Sequence, residues 1–361
     1  MNIVDIGIWY CPNVRAKSYE AFRRSPGKEA GTVRVAVEQV PPLQSQEVLM
    51  RVHAVSLNYR DVGMLHGKYP VSVKEEGIPA SDCAGEVVAI GSAVTKVSVG
   101  DRVSPIFDLK FIDEPDPEGA VAQLGGNVDG VLRQYAVFDE KVLVRIPQHL
   151  SWEETACITC AGTTAWNALG MTGPLDRRRS ALMLGTGGVS MFALLICLGA
   201  GIHPIITSSS DKKLQTAAAL GKEGTVDVIN YNTTPDWEKE ILRLTKGQGV
   251  DIVLETVGGS SIEKSVKSVA TRGLISWIGF LGGLELHKFV DALGSLFLKV
   301  ATLKAIQVGS KADQEGLCRF LEEKQISLKQ IIGKTFEFKD APAAFDYVYS
   351  GQQTGKVVIR I

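Results

Sequence analysis

"LMLGTGGVSMFALLICLGAG" (182–201) sets a glycine-rich turn between two apolar runs, and the fold class depends on what that turn is for. Ala181 to Leu184 reads as a short buried strand, Gly185, Gly187 and Gly188 as the turn, and Ser190 to Leu198 as a buried helix. Glycines at such a turn let the backbone close tightly and approach a pyrophosphate, whose charge the helix N-terminus favours. Ser190 stands where a third glycine is expected; its side chain is small enough to pack closely, with its hydroxyl within reach of a phosphate. Taken alone, the pattern fits an ordinary strand-to-helix turn equally well.

The flanking sequence favours the nucleotide reading. Apolar strands at 204–207, 226–229, 251–254 and 274–278 alternate with helix-length segments such as Lys212 to Leu220. That alternation implies right-handed βαβ units and a doubly wound parallel sheet covered on both faces. The second strand ends in "TSSSDKK" (207–213). In NAD sites a carboxylate at this strand end accepts the ribose hydroxyls. Here Ser208, Ser209, Ser210 and Lys213 offer hydroxyls and an ammonium group, which suit a 2′-phosphate, so NADPH is the expected cofactor. A capped, solvated helix start is the other reading of these residues, and it is compatible with the first.

The first third of the chain is written differently. Thr32 to Val37, Val48 to Val55 and Ala84 to Ile90 read as strands, and the Gly-Asp of "KVSVGDRV" (96–103) reads as a hairpin turn. The closing "FEFKDAPAAFDYVYSGQQTGKVVIRI" (336–361) returns to that style, with a helix expected over 340–350 and a strand over 356–361. The expected organisation is a β-rich domain over 1–155, the nucleotide domain over 156–300, and a segment over 301–361 that completes the first. The cleft is then lined by both domains.

Composition narrows the function classes. A chain of 361 residues, 45% hydrophobic and 22% charged, is globular and large enough for two domains. A net charge of -1 leaves no basic footprint beyond the short Arg177-Arg178-Arg179, so neither nucleic acid nor an anionic membrane is an expected partner. The longest apolar stretches are broken by glycine and fall short of the roughly 20 residues of a membrane span. Six cysteines are too few for a disulfide scaffold and the opening does not read as a secretion leader, so a cytoplasmic setting is expected.

Six ordered motifs carry a resemblance: "LNYRD" (57–61), "GEVVAIGSAVTKVSVGDRV" (85–103), "CAGTTAW" (160–166), "LGTGGVS" (184–190), "GVDIVLETVGG" (249–259) and "TGKVVI" (354–359). From about residue 32 onward the chain resembles the medium-chain dehydrogenase/reductase superfamily, in its zinc-free quinone-reductase-like and enoyl-reductase-like branch. The resemblance implies an α/β fold: a Rossmann doubly wound parallel sheet inserted in a β-rich GroES-like catalytic domain. It implies a pyrophosphate turn formed by Gly185, Thr186, Gly187, Gly188, Val189 and Ser190. It also sets Thr164 beside the nicotinamide, and Tyr231 at the adenosine ribose and its 2′-phosphate. Gly258, Phe280 and Leu281 then shape the floor of the nicotinamide pocket.

Zinc alcohol dehydrogenases of this superfamily hold catalytic zinc on a Cys, a His and a later Cys. The matching positions here are Asn58, Ser81 and Cys160, and the four-cysteine structural zinc loop is missing. A catalytic zinc needs about three protein ligands, so no metal is expected. Cys157 and Cys160 form a C-x-x-C that reads as small core residues rather than a redox pair.

Without zinc, the charge that builds on a substrate oxygen needs another electrophile. Conjugated carbonyls and quinones demand less, because hydride adds to the β-carbon while charge spreads into an enolate held by hydrogen-bond donors. Asn58, Tyr59 and Tyr69 are the catalytic candidates. The Asn58 amide is suited to donate to the substrate carbonyl or to the cofactor. Tyr59 has packing as its alternative role. Arg60 with Asp61 reads as a supporting ion pair, and His53 and His66 as structural.

The long connection 107–137, rich in acidic residues and glycine, is expected to border the cleft and tune substrate choice, with a surface excursion as the equal alternative. The leading reading is an NADPH-dependent reductase of an activated alkene or quinone, acting on a small electrophilic substrate. The alternatives are a zinc-free alcohol dehydrogenase or ketone reductase of a biosynthetic pathway, and a nucleotide-binding protein without turnover. The resemblance implies a homodimer paired through the strand near 274–278 and the segment that follows it; the apolar run Phe289 to Val300 fits that role and also fits the core of a monomer.

Overall fold

The structure is a computed structural model that describes residues 18–26, 31–114, 118–173 and 179–361. Arg177 and Arg178, residues 115–117 of the long connection, and residues 1–17 and 27–30 of the first domain lie outside them.

Six strands form the nucleotide sheet, all paired in parallel: Asp227–Asn230, His203–Ser208, Ser180–Met183, Val250–Glu255, Val269–Trp277 and Thr302–Ala305, in that spatial order. In chain order this is 3-2-1-4-5-6, the doubly wound arrangement that binds ligands where the order reverses. The reversal falls between Ser180–Met183 and Val250–Glu255, so the turns at 184–188 and 256–259 face one crevice. The strands read as unbroken apolar runs because neighbouring residues are buried on opposite faces. Met183, Ile206 and Leu254 join one core, shared with the helix Gly188–Ala200, while Leu182, Ile205 and Val253 join another with Trp237 and Ile241.

The sequence expectation ends this domain at residue 300. The sheet instead takes Thr302–Ala305 as its outermost strand, and the chain re-enters the other sheet only at Ile332–Glu337. That short strand lacked a signal because its pattern "TLKA" has few buried residues.

The catalytic-side sheet orders Ile332–Glu337, Lys356–Arg360, Glu47–Leu57, Asp82–Ile90, Arg102–Pro105 and Leu143–Arg145, with Tyr135–Asp139 paired to Glu47–Leu57. Ser18–Arg24 and Val33–Gln39 form a separate antiparallel pair. The Gly100-Asp101 turn does not close a hairpin of residues 96–103. Asp101 caps a local turn through Ser98, and Arg102–Pro105 pairs back onto Asp82–Ile90. The register decides the site: Val357 lies opposite Leu57 and Asp82 opposite Ser56. The residues Asn58, Asp82 and Lys356 therefore gather at one end of three adjoining strands.

Candidate active site

The glycine turn is open where a cofactor phosphate would need it. Gly185 has φ +79, a left-handed conformation natural to glycine, and a Cβ on Gly185 or Gly187 would meet nothing within 4 Å. Gly188 opens the helix Gly188–Ala200, which carries backbone N–H groups and the positive end of its dipole toward that space. The residues present thus fit a pyrophosphate. Thr186 and Gly187 are tied to the C-terminal strand: the Gly355 N–H donates to the Thr186 carbonyl at 3.0 Å. Ser190 departs from its expected role. It is buried, and its hydroxyl donates to the Leu184 carbonyl at 3.0 Å, so it braces the strand end rather than reaching for a phosphate.

At the next strand end the serines hold backbone. Ser208 Oγ accepts the Ser210 N–H, Ser210 Oγ caps the helix Asp211–Ala218 through the Lys213 N–H, and Ser209 gives its carbonyl to Asn232. The Tyr231 N–H donates to the Ser208 carbonyl, which sets the half-exposed Tyr231 next to the serines along the backbone. Lys213 Nζ donates to the Gln353 carbonyl at 3.0 Å and keeps two further N–H groups. The expected 2′-phosphate residues are thus brought together, with Val189 on the first turn of the neighbouring helix.

Across the crevice, Glu255 organises the opposing turn. One carboxylate oxygen accepts from the Val257 and Gly258 N–H groups and from Ser261, and the other from Ser265, while burial pushes its pKa up. Gly258 (φ +91) comes so close to the 279–283 loop that a Cβ would sit 2.8 Å from the Gly283 carbonyl. That loop holds Phe280 and Leu281 where, with Tyr59, Lys68 and Tyr69, they line an open cleft of about 460 Å³. Tyr69 stacks obliquely on Phe280 at 5.4 Å, and its burial pushes the phenol pKa up, so it holds its proton. Tyr59 is 43% exposed and stands at the rim.

Sequence reasoning passed over a buried charged cluster at the start of the helix Tyr59–Leu65, whose members Asn58, Asp82 and Lys356 are not among the residues lining the cleft. Lys356 is 1% exposed and Asp82 0%. Lys356 Nζ donates to the Leu57 carbonyl (3.0 Å), Asn58 Oδ1 (2.5 Å) and Asp82 Oδ2 (3.3 Å). Asp82 Oδ1 in turn accepts from Ser81 Oγ at 2.7 Å. Asn58 Nδ2 is buried with no partner, an arrangement that costs about 1–3 kcal/mol unless a ligand accepts from it. A lysine opening the otherwise buried strand "KVVI" was the available signal, since fully buried lysines are rare unless paired.

Arg60 and Asp61 do meet, at 3.6 Å, and Arg60 also donates to the Leu124 carbonyl and lies over Phe107. Asp61 Oδ2 accepts the Asn58 N–H at 2.8 Å, fixing the start of the helix Tyr59–Leu65. Cys160 and the buried Cys157 lie in and beside a wide turn, Ile158–Gly162, that leads into the helix bearing the buried Thr164. Burial pushes both thiols up to about 12, so they are neutral. Among the described residues no group of three or more His, Cys, Asp or Glu side chains is placed to hold a metal ion. Of the 107–137 connection, Asp108, Lys110, Phe111, Asp113 and Gly119 to Val121 line a second groove with Asn167, Lys304 and Asp313, and none of its described residues lines the cleft at Tyr59 and Phe280, which favours the surface excursion over the cleft border.

Comparisons with known proteins agree with this fold. Residues 44–148 match the alcohol dehydrogenase GroES-like domain family, and residues 188–323 the zinc-binding dehydrogenase family. A zinc-type alcohol dehydrogenase-like protein of Schizosaccharomyces pombe is 36% identical, covering 88% of this chain and 92% of its own length. A phenolphthiocerol/phthiocerol polyketide synthase component of Mycobacterium tuberculosis is 31% identical over 88% of this chain and 14% of its own. A Sinorhizobium meliloti 1021 structure bearing an alcohol dehydrogenase designation superposes with a TM-score of 0.86 at 33% identity, covering 96% of this chain and all of that one.

Proposed function

Since the chain belongs to the medium-chain dehydrogenase/reductase superfamily and is an oxidoreductase of that type, we propose that it uses NADPH, without zinc, to reduce an activated alkene or a quinone. When bound, the reduced nicotinamide supplies hydride. The chain's own residues manage charge and proton. The observation that carries the reading is the Asn58 amide, a buried and unpartnered donor at the position where a zinc enzyme has its first cysteine. An amide N–H stabilises a delocalised enolate oxygen, whereas a localised alkoxide calls for a stronger electrophile. Tyr69, kept protonated by its surroundings, is the proton source for the enolate carbon, and Tyr59 closes the rim of the cleft.

The preference for the phosphorylated cofactor is supported by Ser208, Ser209, Ser210, Lys213 and Tyr231 at one strand end. Thr164, Gly258, Phe280 and Leu281 are assigned to the nicotinamide, and Gly185 to Val189 to the pyrophosphate; Ser190 supports that turn from behind.

The expected partner is a second copy. The helix Leu286–Leu298 exposes Leu286, Val290, Leu293, Phe297 and Leu298 beside the edge strand Thr302–Ala305, an apolar face next to unpaired backbone. Among the described residues no helix is long and apolar enough to cross a membrane. Enones, quinones and ketones offered with NADPH test the activity, by loss of reduced-cofactor absorbance and recovery of a saturated carbonyl or a hydroquinone. Sedimentation of the chain as a dimer tests the partner.

A further inference from the structure

We infer that Lys356 is a positioning residue for the reaction: it holds the Asn58 amide in the one orientation that leaves Nδ2–H free to donate to a substrate oxygen. The inference rests on the reductase reading above and assigns a cause to its central feature.

The orientation follows from donor chemistry. An ammonium group carries three N–H donors and no acceptor, so the amide atom facing Lys356 Nζ must be the oxygen. Turning the amide over would set NH₂ against NH₃⁺. With Oδ1 fixed at 2.5 Å from Lys356, Nδ2 is directed elsewhere, and it has no protein partner. Lys356 has no N–H left for substrate, since its other two donate to the Leu57 carbonyl and Asp82 Oδ2. It therefore acts through Asn58 rather than on the reacting atoms.

The lysine is itself held from two sides. Asp82, at the strand start opposite Ser56, pairs with its charge and is anchored by Ser81. Gly188 leaves room for its stem: a Cβ there would lie 2.7 Å from Lys356 Cδ. One residue of the glycine turn thus packs directly against the stem of the lysine that orients the amide. Lys356 sits 298 residues from Asn58 along the chain, and only the pairing of the C-terminal strand with Glu47–Leu57 brings them together.

The test uses the full chain and the variants Lys356→Met, Lys356→Met with Asp82→Asn, Lys356→Arg, Asn58→Ala, and Lys356→Met with Asn58→Ala. The Asp82→Asn partner removes the buried carboxylate that would otherwise be left unpaired, which guards against simple unfolding. Expected are a fall in kcat of roughly 10- to 100-fold for the Lys356→Met variants and a partial rescue by Lys356→Arg. NADPH affinity stays within about threefold of wild type by fluorescence titration. In the Asn58→Ala background, Lys356→Met changes kcat by less than about threefold, the non-additivity of residues acting as one unit. An equal loss in both backgrounds, or no loss of kcat, overturns the inference. A crystal structure of the Lys356→Met, Asp82→Asn protein decides independently of turnover. A displaced or turned Asn58 amide supports the inference, and an unmoved amide overturns it. If the wild-type chain reduces no enone or quinone, the proposed function fails, and the crystallographic arm still judges the lysine.

Discussion

The turn at Gly185–Gly188 and the Asn58–Lys356 cluster touch each other, yet they are made of different material. The cofactor half is built from backbone: open space over Gly185 and Gly187, a helix N-terminus, and a left-handed Gly258 held by the bonds Glu255 receives. The proposed substrate half is built from side chains: an amide, an ammonium, a carboxylate and two phenols drawn from positions 58 to 356. Backbone sites tolerate sequence change as long as glycines and caps remain, whereas a side-chain site is lost with one atom. Substitutions in the substrate half should therefore strike kcat, and those in the cofactor half should strike affinity.

The largest effect is expected at Asn58. Asn58→Ala removes the only donor assigned to the developing oxyanion and should lower kcat by about 10²- to 10³-fold, with NADPH affinity unchanged. A loss confined to cofactor binding would move Asn58 into the other half and undo the division. Next, Lys213→Ala should weaken NADPH binding by roughly 10- to 100-fold, the worth of a charge-assisted hydrogen bond. NADH binding should be nearly untouched, and titration with both cofactors reads the ratio. Equal losses for the two would show that Lys213 serves the fold through Gln353 rather than the 2′-phosphate.

A smaller change is expected from Tyr69→Phe, about tenfold in kcat, because water can supply the proton in its place. The smallest lies outside both halves, at His53, stacked on Trp152 at 4.3 Å. Burial lowers its folded pKa below the ordinary 6.5, so the unfolded chain binds more protons in the window beneath 6.5. Its contribution to stability is present above that window and is lost as pH falls through it. His53→Gln should flatten the acid side of the Tm-versus-pH curve below 6.5 while leaving kcat alone.

The glycine turn and the serine-lysine strand end of the proposed cofactor half were legible as local structure because their signals are local. Gly-x-Gly-Gly after an apolar run, and serines with a lysine at the next strand end, lie within a few residues of one another, and local spacing survives into structure. The doubly wound sheet was legible for the same reason. Its last strand, Thr302–Ala305, was not, because an edge strand needs no buried pattern. Ser190 was read by its similarity to a glycine, yet only the fold shows its hydroxyl spent on Leu184.

In the substrate half the candidates Asn58, Tyr59 and Tyr69 were visible as residues replacing or neighbouring ligand positions. Their partners were not. Lys356 and Asp82 meet Asn58 through strand register across the whole chain, and register is a tertiary property that no short motif encodes. The 107–137 connection was open to two readings, a cleft border or a surface excursion, and neither its length nor its acidic, glycine-rich make-up says which groove a loop lines.

Conjugate reduction governed by an amide rather than a metal is open to a direct test by isotopic labelling. The purified chain is given an acyclic enone and NADPH dideuterated at C4, so that either face of the ring delivers deuterium, and the product is read by NMR and mass spectrometry. The expected product is the saturated ketone with one deuterium on the β-carbon. An allylic alcohol with deuterium on the former carbonyl carbon would contradict conjugate addition and establish carbonyl reduction instead.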